Sequence, residues 1–509
     1  MRTKSAMKNI VASLLLGLVV VFANFVVQRF FVGSLGIEYL GLNSLFQNII
    51  SMLAIAELGI GTAIVYHLYR PINEKDIHKT QSLIKFYRTC YRAVATVVLL
   101  ISLAVMPFLP AIVGNSAISS SIHGIFLLFV ANTIFSYLLT YKRSMLYADQ
   151  KNYIINIVHT VAVVALSAAQ VLILIKTHNY YLFLTLRIVA TILENVIINY
   201  IVNKRYEYLR QLRDASPIDM VIKKDIFKKV KGLLYHKASE FAVLGSDSIV
   251  ISMFLGVATL GLYSNYLLIT ATFNGIMSQI TSAITASVGN LLLEKNQAKH
   301  EAVFKKVYFA NFWISTVVAV GFFVAVNSFI VLWLGDGYLF SLEIVAALTA
   351  TLYLTMLRMP IQTFKTAAGI FHEDRYMPIV ESVINLVLSL VLVQFVGLIG
   401  VFIGTICSTL FLHGYSYPKY TYTRLFGKSW VSYWKMIAGS TAITALIAGL
   451  AYAISSLVEL ENPLASFLVS AFIAAIVSNA VLLILYRKSE NMGYFKELTT
   501  KMVVRMRRM

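Results

Sequence analysis

Residues 35–44 read LGIEYLGLNS, and residues 255–264 read LGVATLGLYS. The offset of 220 residues, from Gly36 to Gly256, holds without a gap as far as TAI at 62–64, which corresponds to SAI at 282–284. Each copy opens a long apolar segment, where glycine permits a tight bend and close helix packing. The repeat therefore predicts two similar halves within one chain.

The composition defines the broad class. The chain has 509 residues, of which 59% are hydrophobic and 13% charged, and its mean hydropathy is +0.76. A soluble protein of this length could not bury so much apolar surface, so we expect an all-α polytopic membrane protein. With only two cysteines, Cys90 and Cys407, no disulfide framework or cysteine-based metal cluster is expected.

Fourteen segments approach or exceed the roughly 20 apolar residues that a membrane-spanning helix needs. They are 9–31, 38–66, 82–109, 118–141, 153–175, 180–203, 233–256, 260–290, 304–333, 340–363, 376–394, 397–417, 434–457 and 464–486. A break is expected near Gly335-Asp336-Gly337. The first segment is longer than a signal peptide's and lacks an A-x-A site, so we expect it to be retained.

The basic residues alternate between the two sides of the membrane. Lys and Arg gather before span 1 and in the loops after the even-numbered spans, whereas the odd-numbered loops carry only Lys176. By the positive-inside rule we expect both termini to be cytoplasmic. The net charge of +20 is thereby explained by topology, and no nucleic-acid partner is expected.

Six spans separate the two copies of the repeat, so the halves run parallel, related by an axis along the membrane normal. The predicted parts are an N-lobe at 1–203, a basic cytoplasmic linker at 204–232, a C-lobe at 233–420, and two last helices with a basic tail at 421–509. The linker is either an interfacial helix on anionic lipid or a plain basic connection. The interfacial helix is suggested by four apolar residues among the basic ones, Leu209, Leu212, Val221 and Ile226.

Several chemistries have no sequence motif. There is no G-x-x-x-x-G-K-[ST] phosphate loop, no H-E-x-x-H, no G-x-S-x-G and no T-V-G-Y-G filter. We therefore expect neither a catalytic site nor a cofactor, and favour movement of a substrate across the membrane.

Ionisable residues at membrane depth are costly, and each is a candidate site. Arg29 either snorkels to the outer headgroups or binds an anionic headgroup. Glu57 either accepts a proton or cation, or pairs with an arginine. Lys237 and Glu240 are spaced to pair on one helix face, with Asp247 deeper along it.

The later spans add further polar candidates. Arg187 and Glu194 lie seven residues apart, too far for direct contact. Arg358 precedes Pro360 and either snorkels or binds substrate. One polar stripe faces a wet cavity or another helix. It consists of Glu381, Asn385 and Ser389, and Asn265 marks span 8 more weakly.

Three stretches carry a family resemblance. They are LGIEYLGLNSLFQNIISMLAIAELGIGTAI at 35–64, YHKASEFAVLGSDSIVISMFLGVATLGLYSNYLLI at 235–269, and AAGIFHEDRYMPIVESVINLVLSLVLVQFVGLIGVFIGTICSTLF at 367–411. They resemble the polysaccharide repeat-unit flippases, the Wzx-type translocases of O-antigen, capsule and exopolysaccharide. The resemblance covers most of residues 5–420. It implies the fold of the MOP superfamily, shared with the lipid II flippase MurJ and MATE-type multidrug antiporters: two six-helix lobes around a central cavity, with two extra helices.

The resemblance also implies a function. Such proteins flip undecaprenyl-pyrophosphate-linked glycans from the inner to the outer leaflet of the bacterial cytoplasmic membrane. For this chain we therefore expect alternating access with Na⁺ or H⁺ coupling. The expected partners are membrane lipid, a polysaccharide polymerase and the export machinery. We assign Arg29, Arg187, Lys237 and Arg358 to the substrate headgroup, Asn265, Glu381, Asn385 and Ser389 to the sugar path, and Glu57, Glu240 and Asp247 to ion coupling. Two alternatives stay open: a cation-coupled drug antiporter of the same fold, and a membrane glycosyltransferase or ligase, which the bare outer loops disfavour.

Overall fold

A computed structural model describes the chain except residues 1, 54–56, 58–59, 115–120, 213–214, 295, 371–372, 459, 496 and 498–509. Side chains are described except those of the same residues and of 1–14, 62, 229, 231–244 and 412–413. The described chain contains α-helices with short 3-10 and π segments. It divides into two units, Met1–Ser264 and Asn265–Met509.

Among its described residues, the first unit contains nine helices and the beginning of a tenth. They are α1 (Arg2–Leu35), α2 (Ile37–Leu53), α3 (Ile60–Glu74), α4 (Ile77–Val105), α5 (Leu109–Val113), α6 (Ile122–Thr140), α7 (Arg143–Ala148), α8 (Asn152–Thr177), α9 (Tyr180–Arg205) and α10 (Met220–Leu292). Side-chain oxygens cap the N-termini of α4 and α9. Asp76 accepts a hydrogen bond from the backbone N–H of Lys79, and Asn179 accepts one from the backbone N–H of Leu182. These are N-caps, which satisfy backbone donors that the first turn leaves unpaired.

Where the structure describes it, the second unit contains the rest of α10 and eight more helices. They are α11 (Gln297–Trp333), α12 (Leu342–Leu357), α13 (Met359–Ala367), α14 (Met377–Val396), α15 (Leu398–Phe411), α16 (Tyr417–Thr421), α17 (Val431–Ser455) and α18 (Pro463–Tyr486). The predicted break falls after Trp333, where Gly335 has a φ of +104°. Gly397, with a φ of +61°, separates α14 from α15 in the same way.

Twelve segments of the described chain are long and apolar enough to cross a membrane. One of these segments, 245–292, contains the end of predicted span 7 and all of predicted span 8, and α10 is kinked where the two meet, at Gly256, whose backbone is not helical. Predicted span 2 is divided between α2 and α3 and is not among the twelve. The expected all-α polytopic membrane fold is confirmed, and the protein is a multi-pass membrane protein.

The linker after α9 packs onto the first unit. Leu209 and Leu212 are buried, as is Ile226 at the start of α10, whereas Val221 is exposed. The Nζ of Lys142 donates to the Leu209 carbonyl at 3.1 Å, and that of Lys85 to the Ala215 carbonyl at 2.6 Å. Three of the four apolar side chains considered for lipid contact therefore lie in the protein core.

Candidate functional site

The repeated glycines make a close helix crossing within the first unit. Gly36 and Gly256 both have left-handed backbones, with φ values of +89° and +85°, and each bends the chain. Beyond these bends, a Cβ on Gly41 would lie 1.8 Å from the Val257 carbonyl oxygen. A Cβ on Gly261 would lie 2.2 Å from the Ile37 carbonyl oxygen. The contact is reciprocal, because Ile37 and Val257 are themselves equivalent in the repeat. It confirms the close packing predicted at Gly41 and Gly261, whereas the bends predicted there lie five residues earlier, at Gly36 and Gly256.

A row of amides on α2 follows the crossing. The amide oxygen of Gln47 accepts a hydrogen bond of 2.6 Å from the guanidinium of Arg187 on α9, which also lies 5.8 Å from the ring centre of Phe129. Asn48 donates to the hydroxyl of Ser248 on α10 at 2.6 Å. Arg187 was predicted as a site residue, whereas its amide partner was not. As expected, Arg187 does not pair with Glu194, which instead binds Arg143 at 2.6 Å.

A ladder of tyrosine hydroxyls reaches Glu57. Tyr91 on α4 donates a hydrogen bond to the Glu57 carboxylate, and Tyr87, one turn earlier, donates to Tyr91 at 2.8 Å. The two rings meet edge to face, with centroids 4.5 Å apart. The described contacts of Glu57 are thus with hydroxyl groups. The four-residue spacing of the two tyrosines was the sequence signal, and the prediction did not use it.

The other charged candidates of the first unit have different surroundings. Asp247 is 6% exposed and lies among serines on α10, where Ser246 and Ser248 are also buried. Arg29 on α1 is exposed. The side chains of Lys237 and Glu240 lie outside the described residues.

In the second unit, Arg358 and Glu381 face each other. The closest guanidinium nitrogen and carboxylate oxygen are 4.0 Å apart, and the side chains are 27% and 11% exposed. This distance is at the limit of an ion pair, so the pair is loose. Arg358 is thus placed beside an acidic side chain that the sequence analysis had assigned to the sugar path.

The rest of the polar stripe packs against α15. Asn385 donates to the hydroxyl of Thr405 at 3.0 Å, and Ser389 donates to the Val401 carbonyl at 3.4 Å. The approach is close, because a Cβ on Gly404 would lie 2.6 Å from the Ser389 hydroxyl oxygen. Asn385, Ser389 and Asn265 have no exposed surface. The sequence left open whether the stripe faces a wet cavity or another helix. Asn385 and Ser389 face another helix, α15.

Cationic groups also lie in the short segment between α6 and α8. Burial lowers the pKa of Lys142, and the nearby Arg88 guanidinium lowers it further. The Lys142 ammonium donates to the Asn203 amide oxygen and to the Leu209 carbonyl. This lysine therefore holds the linker in place.

The comparisons with known proteins agree with this architecture. The sequence matches no protein-family model and no curated protein. Among solved structures, the fold is similar to the lipid II flippase MurJ in an inward closed conformation, with a TM-score of 0.64, 14% identity, and coverage of 94% of this chain and 98% of that one. It is also similar to an inward-facing multidrug resistance MATE family transporter of the MOP superfamily, with a TM-score of 0.63, 17% identity, and coverage of 79% and 95%.

A third structure belongs to the same group. A mutant of the Vibrio cholerae MATE transporter VcmN matches with a TM-score of 0.55 and 16% identity, covering 84% of this chain and 99% of that one. At these identities the likeness establishes the fold. The fold is the MOP-type polytopic helical fold, and the structures similar to it are membrane transporters and a lipid flippase.

Proposed function

We propose that the protein flips undecaprenyl-pyrophosphate-linked oligosaccharide repeat units from the inner to the outer leaflet of the bacterial cytoplasmic membrane. The glycan serves capsule, exopolysaccharide or O-antigen synthesis, and movement is by alternating access. The resemblance at 35–64, 235–269 and 367–411 supports this substrate class. The similar fold of a lipid II flippase supports the mode of action.

Arg187 is the observation that carries the proposal. It lies in a membrane-spanning helix, and its described hydrogen bond is to a neutral amide, Gln47. A guanidinium bound to an amide keeps its full positive charge, so it attracts an anionic group that enters the membrane. A pyrophosphate linkage is such a group.

The remaining assignments belong to the same proposal. Arg29, Lys237 and Arg358 join Arg187 at the headgroup, Glu57, Glu240 and Asp247 couple an ion, and Glu381 and Asn265 line the sugar path together with Asn385 and Ser389. Since the last three have no exposed surface, the proposal requires that they become accessible in another conformation of the transport cycle. Both termini are on the cytoplasmic side, as the distribution of basic loops supports.

The direct test is transport by purified protein in vesicles. A fluorescent polyprenyl-diphosphate oligosaccharide is placed in both leaflets, and the label accessible to a membrane-impermeant quencher is followed over time. Arg187→Gln should slow the exchange between leaflets by about tenfold or more, and Arg187→Lys by less, because it retains the charge but loses the planar fork. Arg70→Gln is the matched control, since Arg70 is an exposed arginine paired with Glu74 at 2.7 Å. Equal rates for all three variants would refute the proposal.

A cation-coupled multidrug antiporter is the second candidate. The buried Asp247 and the hydroxyl-bound Glu57 favour it, because acidic side chains attract cationic drugs. It predicts ethidium efflux that Asp247→Asn abolishes, in the same vesicles and without any effect of Arg187→Gln.

A further inference from the structure

A cavity of about 350 Å³ opens in the first unit, where the end of α1 meets the turn between α8 and α9. None of the residues that line it is among the membrane-embedded residues assigned above. Its lining combines aromatic rings with small polar groups. The residues that matter are Ser34, Tyr39, His178, Asn179, Tyr180 and Tyr181.

Aromatic rings form one wall of the cavity. Tyr39 and Tyr180 meet edge to face with centroids 5.2 Å apart. Tyr180 is fixed by burial and by its hydroxyl, which donates to the Asn43 amide oxygen at 3.2 Å. Tyr181, on the neighbouring position, is 43% exposed. Such rings present flat apolar faces against which the C–H face of a sugar ring packs.

Polar groups complete the lining. Asn179 uses its amide oxygen to cap α9, at 3.0 Å from the Leu182 nitrogen, which leaves its NH₂ group to donate elsewhere. Within the part of the chain that the structure describes, the side chains of Ser34 and His178 make no hydrogen bond. None of the described residues that line the cavity is Asp, Glu, Lys or Arg. Its chemistry suits a neutral ligand rich in hydroxyl groups.

The backbone at the cavity is strained. His178 ends α8 with a φ of +48°, in the left-handed region that glycine adopts without penalty. Residues other than glycine in this conformation are uncommon, and strain of this kind is often kept where a side chain has a function. The imidazole is thereby held at the rim of the cavity.

We propose that this cavity is a surface binding site for a neutral pyranose residue. The inference rests on the proposed function, since a flippase for lipid-linked oligosaccharides presents such sugars at the outer face. The cavity lies at the connection between α8 and α9. The basic residue beside this connection is Lys176, in the last turn of α8, so the cavity belongs to the side that the charge pattern assigns to the outside. The site receives a sugar of the glycan as its lipid anchor reaches the outer leaflet.

The test measures sugar binding by saturation-transfer NMR. The full chain is placed in lipid nanodiscs free of glycoside detergent, because a maltoside headgroup would compete. The probes are the methyl glycosides of glucose, galactose, mannose, rhamnose and N-acetylglucosamine. At least one should receive saturation from the wild-type protein.

Two variants spare the fold. Asn179→Ser keeps an N-cap oxygen while removing the NH₂ donor, and His178→Gly fits the left-handed backbone while removing the imidazole. The double variant should weaken binding by about tenfold or more, whereas Lys176→Gln, in the last turn of α8 but outside the lining, should leave it unchanged. No saturation transfer to any glycoside, or equal transfer in the wild-type protein and the double variant, would overturn the site.

The same preparations separate this inference from the proposed function. Transport of the lipid-linked probe without sugar binding would overturn the cavity site and leave the flippase intact. Sugar binding that the double variant loses, in a protein that does not exchange the lipid-linked probe, would overturn the flippase and leave the site.

Discussion

The two copies of the repeat share two glycines and differ in several of their polar side chains. At the offset of 220 residues, Gly36 and Gly41 are matched by Gly256 and Gly261. Four polar residues of the first copy have aromatic or aliphatic counterparts in the second. The pairs are Asn43 and Tyr263, Gln47 and Leu267, Asn48 and Leu268, and Glu57 and Met277.

The shared and the divergent positions therefore serve different purposes. The glycines let the two copies approach through their backbones, with reciprocal contacts at Val257 and Ile37. The polar residues of the first copy each contact another helix, as Gln47 contacts Arg187 and Glu57 contacts Tyr91. We infer that the symmetric positions build the framework and the asymmetric positions carry the chemistry.

Gly41→Ala tests the glycines that the two copies share, and it should have the largest effect on stability. The added Cβ would lie 1.8 Å from the Val257 carbonyl oxygen, and a backbone atom cannot move aside as a side chain does. We expect a loss of more than about 3 kcal/mol of stability, above the range of ordinary overpacking, measured as thermal unfolding in detergent. Gly261→Ala, 2.2 Å from the Ile37 carbonyl oxygen, should behave alike.

Gly33→Ala is the control for this prediction. Gly33 lies within α1, and a Cβ there would meet nothing within 4 Å. Alanine at a helical site is stabilising by up to about 1 kcal/mol relative to glycine. If Gly41→Ala and Gly33→Ala unfold at the same temperature, the crossing does not hold the copies together.

Gln47→Leu gives the first copy the residue of the second. The change removes the acceptor of the Arg187 hydrogen bond and leaves a half-buried guanidinium without it. We expect a loss of about 2 kcal/mol in unfolding free energy, the usual cost of an unsatisfied polar group. Gln47→Glu should instead stabilise the pair and slow transport, because it neutralises the charge that binds the headgroup. A Gln47→Glu protein that transports at the wild-type rate would contradict the role of Arg187.

Glu57→Met makes the same exchange at the other end of the first copy. The carboxylate that accepts the Tyr91 hydrogen bond is lost, so no proton or cation binds there. We expect transport driven by an ion gradient to fall by about tenfold, which corresponds to about 1.4 kcal/mol in the barrier. Glu57→Gln keeps an acceptor for Tyr91 and separates the hydrogen bond from the charge. Gradient-driven transport that survives in the methionine variant would remove Glu57 from the coupling step.

The sequence predicted the framework better than the contacts. Helix breaks at Gly36 and Gly256 follow from local chemistry, since only glycine adopts a positive φ without strain, and they fall where predicted spans end or begin. The partner of a polar side chain depends on how two distant helices are rotated and staggered. That is why Gln47 was missed as the partner of Arg187, and Tyr91 as the partner of Glu57.

The polar stripe on α14 shows the same limit. Its four-residue spacing predicted one face correctly, and all three residues are buried. The spacing did not predict that Gly404 brings α15 close enough for Asn385 and Ser389 to bond with that helix. Only Glu381, at the end of the stripe, lies beside a charged partner, Arg358.

Asp149 lies past the end of the matched repeat, in the loop between α7 and α8. A change at Asp149 should have the smallest effect on stability of the substitutions considered. Its carboxylate accepts hydrogen bonds from Lys151 and Tyr206 and is 26% exposed. Burial alone would raise the pKa of Asp149, but the two hydrogen bonds and the positive charges of Lys151 and Arg205 together outweigh burial and lower the pKa below its ordinary value of 3.8. The favoured form in the folded protein is therefore the charged one.

Because the pKa of Asp149 is lowered, the effect of Asp149→Asn on stability should depend on pH. Because the folded pKa is depressed, the stabilisation is present above pH 3.8 and is lost as the pH falls through the folded pKa. We expect the variant to be less stable than the wild type by about 1 kcal/mol at pH 7, which is less than a buried hydrogen bond to a charged group contributes, because Asp149 is partly exposed. Thermal unfolding at pH 7, 5 and 3 should show the difference between the two proteins narrowing at the lowest pH. A difference that stays constant down to pH 3 would mean that the asparagine disturbs packing, because only the loss of a carboxylate interaction follows its protonation.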